Sequence, residues 1–493
     1  MIERPSLSDA GEGPRGAVTQ LTAVILARDE EAVLAPTLES ARQVADQLVL
    51  VDTGSQDRTR VIGYRYGAKV VQSPWEEDFA AARNRALEEL GASWILWLDA
   101  GERVDPAAGT DLKEFVRTQA DPAKVYEVKV VLPPADPAGS ATEVLQARLM
   151  PNRPGLRFRG RIRETLQPAM ETLGMQWAEA PGIILCHPRR HHPDWKRQRA
   201  IRNLRIAHQE NAGSARPEVR LLLAMADRLV DLADLPHARA LYLQAVQQAQ
   251  SGSVEQLEAY YGLLTTSDTG GQAGETLLAY ALQAVEVFPL DAQLLCLLGQ
   301  LLGVQGRWPL AARAFQQAFQ HGQICGQVWH LADLRTLAGW GWSLALDRQN
   351  QPQQALAALE EAAAQTGADW IRYRLMEKYI SLGRLEEALQ EITRLRPHAA
   401  EEEICRLHNL VRAAILAAQK DYPTALPILE DAYQAGCREP LCLHWLVAAR
   451  LAAGQPDSAE PVLREWQRVD PAHPELRRYR EIVQRAASLP TEQ

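Results

Sequence analysis

Long apolar runs are missing from this chain of 493 residues. None approaches the ~20 residues that a membrane-spanning helix needs, so no membrane span is expected. The first twenty residues mix Pro, Gly, Ser and both acids without an apolar centre, which excludes a signal peptide and predicts a disordered leader. Cysteine is scarce, six in all, scattered and without a Cys-x-x-Cys pair. That spacing suits neither a disulfide framework nor a tetrahedral zinc site, and it points to reduced thiols in a cytoplasmic protein. Cys437 and Cys442 read as buried helical residues. Positive charge is also short, with a net charge of −9, which speaks against a nucleic-acid partner. Glycine is absent from Ala27-Arg-Asp-Glu-Glu31, the segment that leaves the first strand. Neither a Gly-rich phosphate loop nor a G-x-G-x-x-G turn can form there.

What is present is a soluble globular composition, 46% hydrophobic and 23% charged, in a chain long enough for two or three domains. From Leu21 to Leu98 short β-rich runs alternate with helical stretches. Thr22–Leu26, Gln47–Val51, Lys69–Val71 and Trp94–Leu98 read as strands. Glu30–Arg42, Asp57–Tyr66 and Asp78–Leu90 read as helices, the second with Ser55 as its N-cap. This alternation implies βαβ units and a parallel sheet. From Val125 the texture changes. Tyr126–Leu132 and Val144–Met150 read as strands, Arg157–Leu166 continues with mixed basic and apolar residues, and the segment predicts a small added sheet, mixed or antiparallel.

After Arg199 strand signals vanish. One small or apolar position recurs as Ala238, Leu277, Ala312, Ala355, Ala388, Ala425 and Ala459, at intervals of 33 to 43 residues. Several of these follow a helix-starting proline (Pro236, Pro309, Pro352, Pro423, Pro456), whose missing N–H costs nothing in a first turn. Pro289 and Pro471 close repeats. Paired helices with this period resemble tetratricopeptide repeats, which are stable only when stacked. The expected fold is α/β followed by all-α, divided into a leader (1–20), an α/β domain (21–198), a helical repeat domain (199–485) and a tail (486–493).

Two acids directly follow apolar strands, Asp52 after Gln47–Val51 and Asp99 after Trp94–Leu98. Ligands bind beyond the carboxyl ends of such strands, so this pair is well placed to hold a sugar, a base or a metal. Asp52 and Ser55 could equally cap the next helix. The acids of Arg28-Asp-Glu-Glu31 could simply favour a helix N-terminus.

Six strings carry a family likeness: Ala27-Arg-Asp-Glu-Glu31, Val51-Asp-Thr-Gly-Ser-Gln-Asp-Arg-Thr59, Trp75-Glu-Glu-Asp-Phe-Ala-Ala-Ala-Arg-Asn84, Asp99-Ala-Gly-Glu102, Gly160-Arg-Ile-Arg-Glu164 and Leu185-Cys-His187-Pro. Their order from Leu21 to His187 resembles a family-2 glycosyltransferase of the GT-A fold. The third string is similar to that of the subfamily carrying tetratricopeptide extensions. The resemblance implies inverting transfer of a hexosyl or N-acetylhexosaminyl group from a nucleotide sugar, UDP-linked, to a protein or glycan acceptor recruited by the repeats. It implies that Asp52 contacts the base, that Arg28, Glu30 and Arg83 face the nucleotide, and that Asn84 fixes its helix there. Asp99 would bind the ribose and a divalent cation, Mg²⁺ or Mn²⁺, bridging the diphosphate, with Glu102 and His187 as further metal ligands. Glu164 would be the base that takes the acceptor hydroxyl's proton. Three positions depart from the family pattern: Asp29 replaces Asn, Gly101 replaces the second Asp of Asp-x-Asp, and Arg163 replaces His. Gly101 and Arg163 keep open an alternative, a transferase-like scaffold acting through its repeats. The basic run Arg189, Arg190, His191, His192, Lys196, Arg197, Arg199, Arg202 and Arg205 is either a diphosphate clamp or a solvated helix face.

Overall fold

The computed structural model describes residues 20–134, 140–212, 216–266, 271–382, 384–394, 401–471 and 473–487. The expected leader up to residue 19 and the tail from 488 lie outside them. The chain divides into two compact units, Met1–Leu301 with Gly322–Leu334, and Leu302–His321 with Arg335–Gln493.

The first unit is built on β1 (Leu21–Ala27), α1 (Leu34–Val44), β2 (Gln47–Asp52), α2 (Thr59–Arg65), β3 (Lys69–Gln72), α3 (Phe79–Glu88), β4 (Trp94–Asp99), β5 (Arg103–Val104) and α4 (Pro106–Thr118). It continues through β6 (Lys124–Leu132), β7 (Thr142–Pro151), α5 (Gln167–Leu173) and β8 (Gln176–Leu185). The strand order is β3-β2-β1-β4-β7-β6-β8-β5, with a two-residue β9 (His330–Leu331) on β7. The first four strands are parallel. Six of the seven β1 residues are buried, as expected of a central strand covered by helices on both faces. Leu34, Leu38 and Ala41 form the buried stripe of α1.

The second half of the sheet is not a separate small sheet. β7 joins β4 antiparallel, so one sheet runs through the whole domain. Arg157–Leu166 is mostly irregular, tied by a single bridge between Arg159 and Thr165. Two expected helices also start late. The N–H groups of Glu30 and Glu31 are drawn to Thr59 Oγ1 (2.7 Å) and the Asp57 carboxylate (2.9 Å), so α1 begins at Leu34. Ser55 does not cap α2; its hydroxyl accepts the Asp29 N–H at 3.0 Å.

The helical half of the first unit is α6 (Pro193–Asn211), α7 (Val219–Asp231), α8 (Leu235–Gln248), α9 (Val254–Thr265), α10 (Gly271–Val287) and α11 (Ala292–Val304), the last running into the second unit. The second unit continues with α12 (Trp308–His321), α13 (Leu334–Asp347), α14 (Pro352–Thr366), α15 (Asp369–Ser381), α16 (Leu385–Thr393), α17 (Glu401–Ala418), α18 (Tyr422–Gln434), α19 (Pro440–Ala452), α20 (Pro456–Val469) and α21 (Leu476–Ala487). The seven recurring positions fall on α8, α10, α12, α14, α16, α18 and α20, the second helix of every pair, and all seven are buried. Small residues bring paired helices together. A Cβ on Gly339 of α13 would stand 2.5 Å from the Cβ of Ala362 on α14.

Candidate active site

The parallel strands end flush. Asp52 pairs with Ala27, and Leu26 pairs with Asp99, which sets the two acids two strand spacings apart, about 10 Å. Beyond this edge the first two loops interlock. Asp29 takes a left-handed backbone (φ 54), which Asp tolerates better than most residues. Its carboxylate accepts the Gln56 N–H at 2.7 Å, and Glu31 accepts the Arg58 N–H at 3.0 Å. Asp52 itself is only 2% exposed and accepts the Ser55 N–H at 3.2 Å. In this structure the Asp52 carboxylate is spent on its own turn, while Arg28 next door keeps an exposed side chain.

Arg83 is the hub of the site. It projects from α3, whose start is capped by Asp78 accepting the Ala81 N–H at 2.8 Å. Its Nε donates to Glu164 Oε1 at 2.7 Å, and one terminal nitrogen lies 3.6 Å from the Asp99 carboxylate. The guanidinium is held over the Trp97 ring, 4.7 Å from its centre. Three residues singled out in separate strings, Arg83, Asp99 and Glu164, therefore meet. Asn84 does something else. Its side chain donates to the Phe158 carbonyl (2.9 Å) and accepts the Phe158 N–H (2.8 Å). Asn84 thereby fixes the irregular 157–164 segment to α3 rather than facing a ligand.

The expected metal ligands do not gather around an ion. Glu102 is 1% exposed. One of its oxygens accepts the Asp99 N–H at 2.8 Å, and the other accepts from Arg148 at 2.8 Å and Arg190 at 3.0 Å. Arg148 and Arg190 also lie 3.7 and 3.5 Å from Asp99. Burial works against ionisation of Asp99, but Arg148, Arg83 and Arg190 outweigh it and hold its carboxyl far below the usual range. Burial pushes Glu102 the other way. Gly101, where the family has its second Asp, takes a φ of 94 that L side chains rarely adopt, and its N–H is bound by Thr37 Oγ1 at 2.9 Å. His187 is half-buried, two residues beyond β8. Among the described residues no three His, Cys, Asp or Glu side chains are grouped to hold a metal. The donor set of Asp99, Glu102 and His187 does not fit a cation, because guanidinium groups and the Asp99 N–H already face the oxygens of Asp99 and Glu102.

Arg148 was not legible as a site residue, since on β7 it reads as one polar position in an alternating strand. It is 5% exposed and its Nε finds no acceptor among the described residues. Two further arginines approach from α6. Arg199 lies over Trp195 (5.2 Å) and Arg202 over Phe79 (5.5 Å). Burial, Arg228 and Arg190 together push Arg199 down to about 9. Burial also lowers Arg202, which feels Glu30, Arg28, Arg228 and Asp99.

The 160–164 segment is held by helices of the same unit. Glu210 of α6 accepts the N–H groups of Arg161 (2.9 Å) and Ile162 (3.3 Å), and Arg220 of α7 donates to the Ile162 carbonyl at 2.6 Å. Arg163, at φ 48, points away from Glu164 and pairs with Asp227 of α7 (2.7 Å) and Glu258 of α9 (2.9 Å). Tyr242 of α8 donates to the other Asp227 oxygen at 2.7 Å. None of these partners carries a motif.

The sheet, parallel in its first four strands, and its acidic edge form a GT-A-type domain, followed by the paired helices of a tetratricopeptide-like repeat. The family model for glycosyl transferase family 2 matches residues 22–126, and a tetratricopeptide repeat model matches 348–410. A TPR repeat-containing protein of Synechococcus elongatus is 30% identical over 283 residues, 56% of this chain and 68% of that protein. An uncharacterized glycosyltransferase of Rickettsia bellii is 27% identical over 114 residues, 23% of this chain and 38% of its own. The lipopolysaccharide core biosynthesis glycosyltransferase LpsC of Rhizobium meliloti is 33% identical over 101 residues, 20% and 37% of the two chains. The chain thus spans under two fifths of either glycosyltransferase relative. It carries a glycosyl transferase family 2 domain at residues 22–126 with a tetratricopeptide repeat array behind it, and belongs with the TPR repeat-containing protein above. No helix among the described residues is long and apolar enough to cross a membrane.

Proposed function

We propose that the chain is an inverting glycosyltransferase that moves a hexosyl or N-acetylhexosaminyl group from a UDP-sugar to a protein or glycan acceptor. The observation that carries this reading is Arg83 bridging Asp99 and Glu164 at the carboxyl edge of the parallel strands. The donor lies across Arg28, Glu30, Arg83 and Asp99, and Asp52 shapes the turn beneath it. Glu164 takes the acceptor hydroxyl's proton while that oxygen bonds to the anomeric carbon from the face opposite the leaving diphosphate. The bond to the diphosphate breaks and its electrons leave with the phosphate oxygen. Arg83 orients Glu164 and stacks on Trp97, where a planar guanidinium does what lysine cannot.

The second unit is proposed to recruit the acceptor. A cavity of about 430 Å³ opens there among α12, α13 and α14, lined by Arg313, Gln316, Trp342, Gln349 and Glu361. Pro309, Leu346, Ala357 and Ala358 complete a lining more apolar than polar, and the mixture suits a peptide or glycan chain.

Turnover of a UDP-sugar panel tests the reading. In Glu164→Gln, kcat is expected to fall about 10²- to 10⁴-fold, the usual worth of a general base, while UDP affinity is kept. The alternative of a scaffold without catalysis draws on the departures at Gly101 and Arg163 and on Asp99 and Glu164 being already engaged by arginine. UDP binding with no turnover of any donor, and no effect of Glu164→Gln, would establish the alternative.

A further inference from the structure

Charges around Asp99 do not balance in the way a cation site requires. Asp99, Glu102 and Glu164 are met by Arg83, Arg148 and Arg190, three acids by three cations, with every pair between 2.7 and 3.7 Å. Arg199 and Arg202 come on top of this. Three apart on α6, they share one helix face. Neither forms an ion pair with a carboxylate among the described residues, whereas neighbouring Arg228 has Asp231 at 2.8 Å. Arg202 lies over Phe79, which is four residues before Arg83 on α3 and so on the same face as the guanidinium that meets Asp99 and Glu164. Their rings of contact, Trp195 and Phe79, fix the guanidinium planes without neutralising them.

Arg199 is half-buried and Arg202 exposed, with its Nε on Asn203 Oδ1 at 3.0 Å, so both are open to an anion that would share their charge. The anion must carry more than one charge and present several acceptor oxygens, since guanidinium forks bind phosphate oxygens in pairs. Gly101 removes the carboxylate that would have drawn a metal here, and its left-handed backbone disfavours restoring one. Resting on the glycosyltransferase reading above, we infer that the nucleoside diphosphate of the donor is bound without a divalent cation, its charge neutralised by Arg199 and Arg202 of α6. This makes the first helix behind the α/β sheet part of the donor site.

Calorimetry on the full chain tests the inference with UDP and uridine as probes, in EDTA and in excess Mn²⁺. UDP is expected to bind with the same Kd in both, within about twofold. The double variant Arg199→Gln/Arg202→Gln is expected to bind UDP at least about tenfold more weakly, a loss of about one decade of affinity, with uridine affinity unchanged. Unchanged uridine binding also reports a folded site. UDP binding that appears only with Mn²⁺, or a double variant that binds UDP like the wild type, overturns the cation-free site and leaves the glycosyltransferase reading standing. If neither UDP nor any other nucleoside diphosphate binds under either condition, the reading itself fails and takes the inference with it.

Discussion

Asn84 accepts and donates one hydrogen bond each with the backbone of Phe158, 74 residues further along. A hydrogen bond of this kind contributes about 1 kcal/mol, so Asn84→Ala should destabilise the first unit by about 1–3 kcal/mol. Chemical denaturation followed through Trp97 would measure it. UDP affinity should fall only indirectly, through a loosened 157–164 segment, and an unchanged denaturation midpoint would remove Asn84 from this role. The string Ala82-Arg-Asn84 marked both residues as important, yet side-chain type alone could not assign them. Arg83 and Asn84 point in different directions from one helix, and only Arg83 reaches Asp99 and Glu164. Glu102 is a related case. Its spacing from Asp99 suggests a metal ligand, but Arg148 and Arg190 come from distant strands and turns and share one of its oxygens, while the Asp99 N–H takes the other.

At the scale of elements, the loop bearing Glu164 is an assembly of four pieces of chain. α3 holds it through Asn84, α6 through Glu210, α7 through Arg220 and Asp227, and α9 through Glu258. Arg163 is therefore a positioning residue for Glu164. Arg163→His restores the family residue but is too short to reach Asp227 and Glu258 together. It is expected to lose about 1–3 kcal/mol of stability, the worth of hydrogen bonds between charged groups. Its kcat should drop while the Kd for UDP stays within about twofold, because the nucleotide end is untouched; a tenfold weaker Kd would instead place Arg163 at the donor. Strands and helices were legible in the alternation of apolar runs and turns. The late starts of α1 and α2 were not, because the interlock of residues 29–31 with 55–59 depends on which loops the sheet order makes neighbours.

For the whole molecule, the composition change near Arg199 does not mark the edge of a compact unit, since the first unit includes the chain up to Leu301. Cutting the chain after Arg216 removes Arg220, Asp227 and Glu258 together. The truncated protein is expected to lose donor turnover as well as acceptor transfer, measured as release of UDP; a fragment that turns over donor normally would show that the 160–164 loop stands without α7 and α9. The second unit carries a pH response of its own. His444 packs between Trp445 and Trp466, with centroids 4.6 and 4.8 Å away. Burial, then His473 and Arg478, push it from 6.5 down to about 3. The unfolded chain takes up a proton near 6.5 while the folded unit resists until about 3, so stability falls as pH drops through that window. His444→Phe should flatten the dependence of Tm on pH across it, and a variant whose Tm still falls as steeply would point to other groups.

The sequence by itself determined the elements, the period of the repeat and the strings that gather at the sheet edge. These follow from apolar spacing and local backbone chemistry, which a linear chain displays directly. The seven recurring positions all land on buried faces because helix pairs can stack only where side chains are small or apolar. Tertiary structure alone decided which charges face one another. It took Glu102 and part of Asp99 from a metal and gave them to arginines, and it joined Glu164 to helices that carry no motif. Electrostatic partners act through space over a few ångströms, and residues 46 to 95 positions apart come within that range only once the chain has folded.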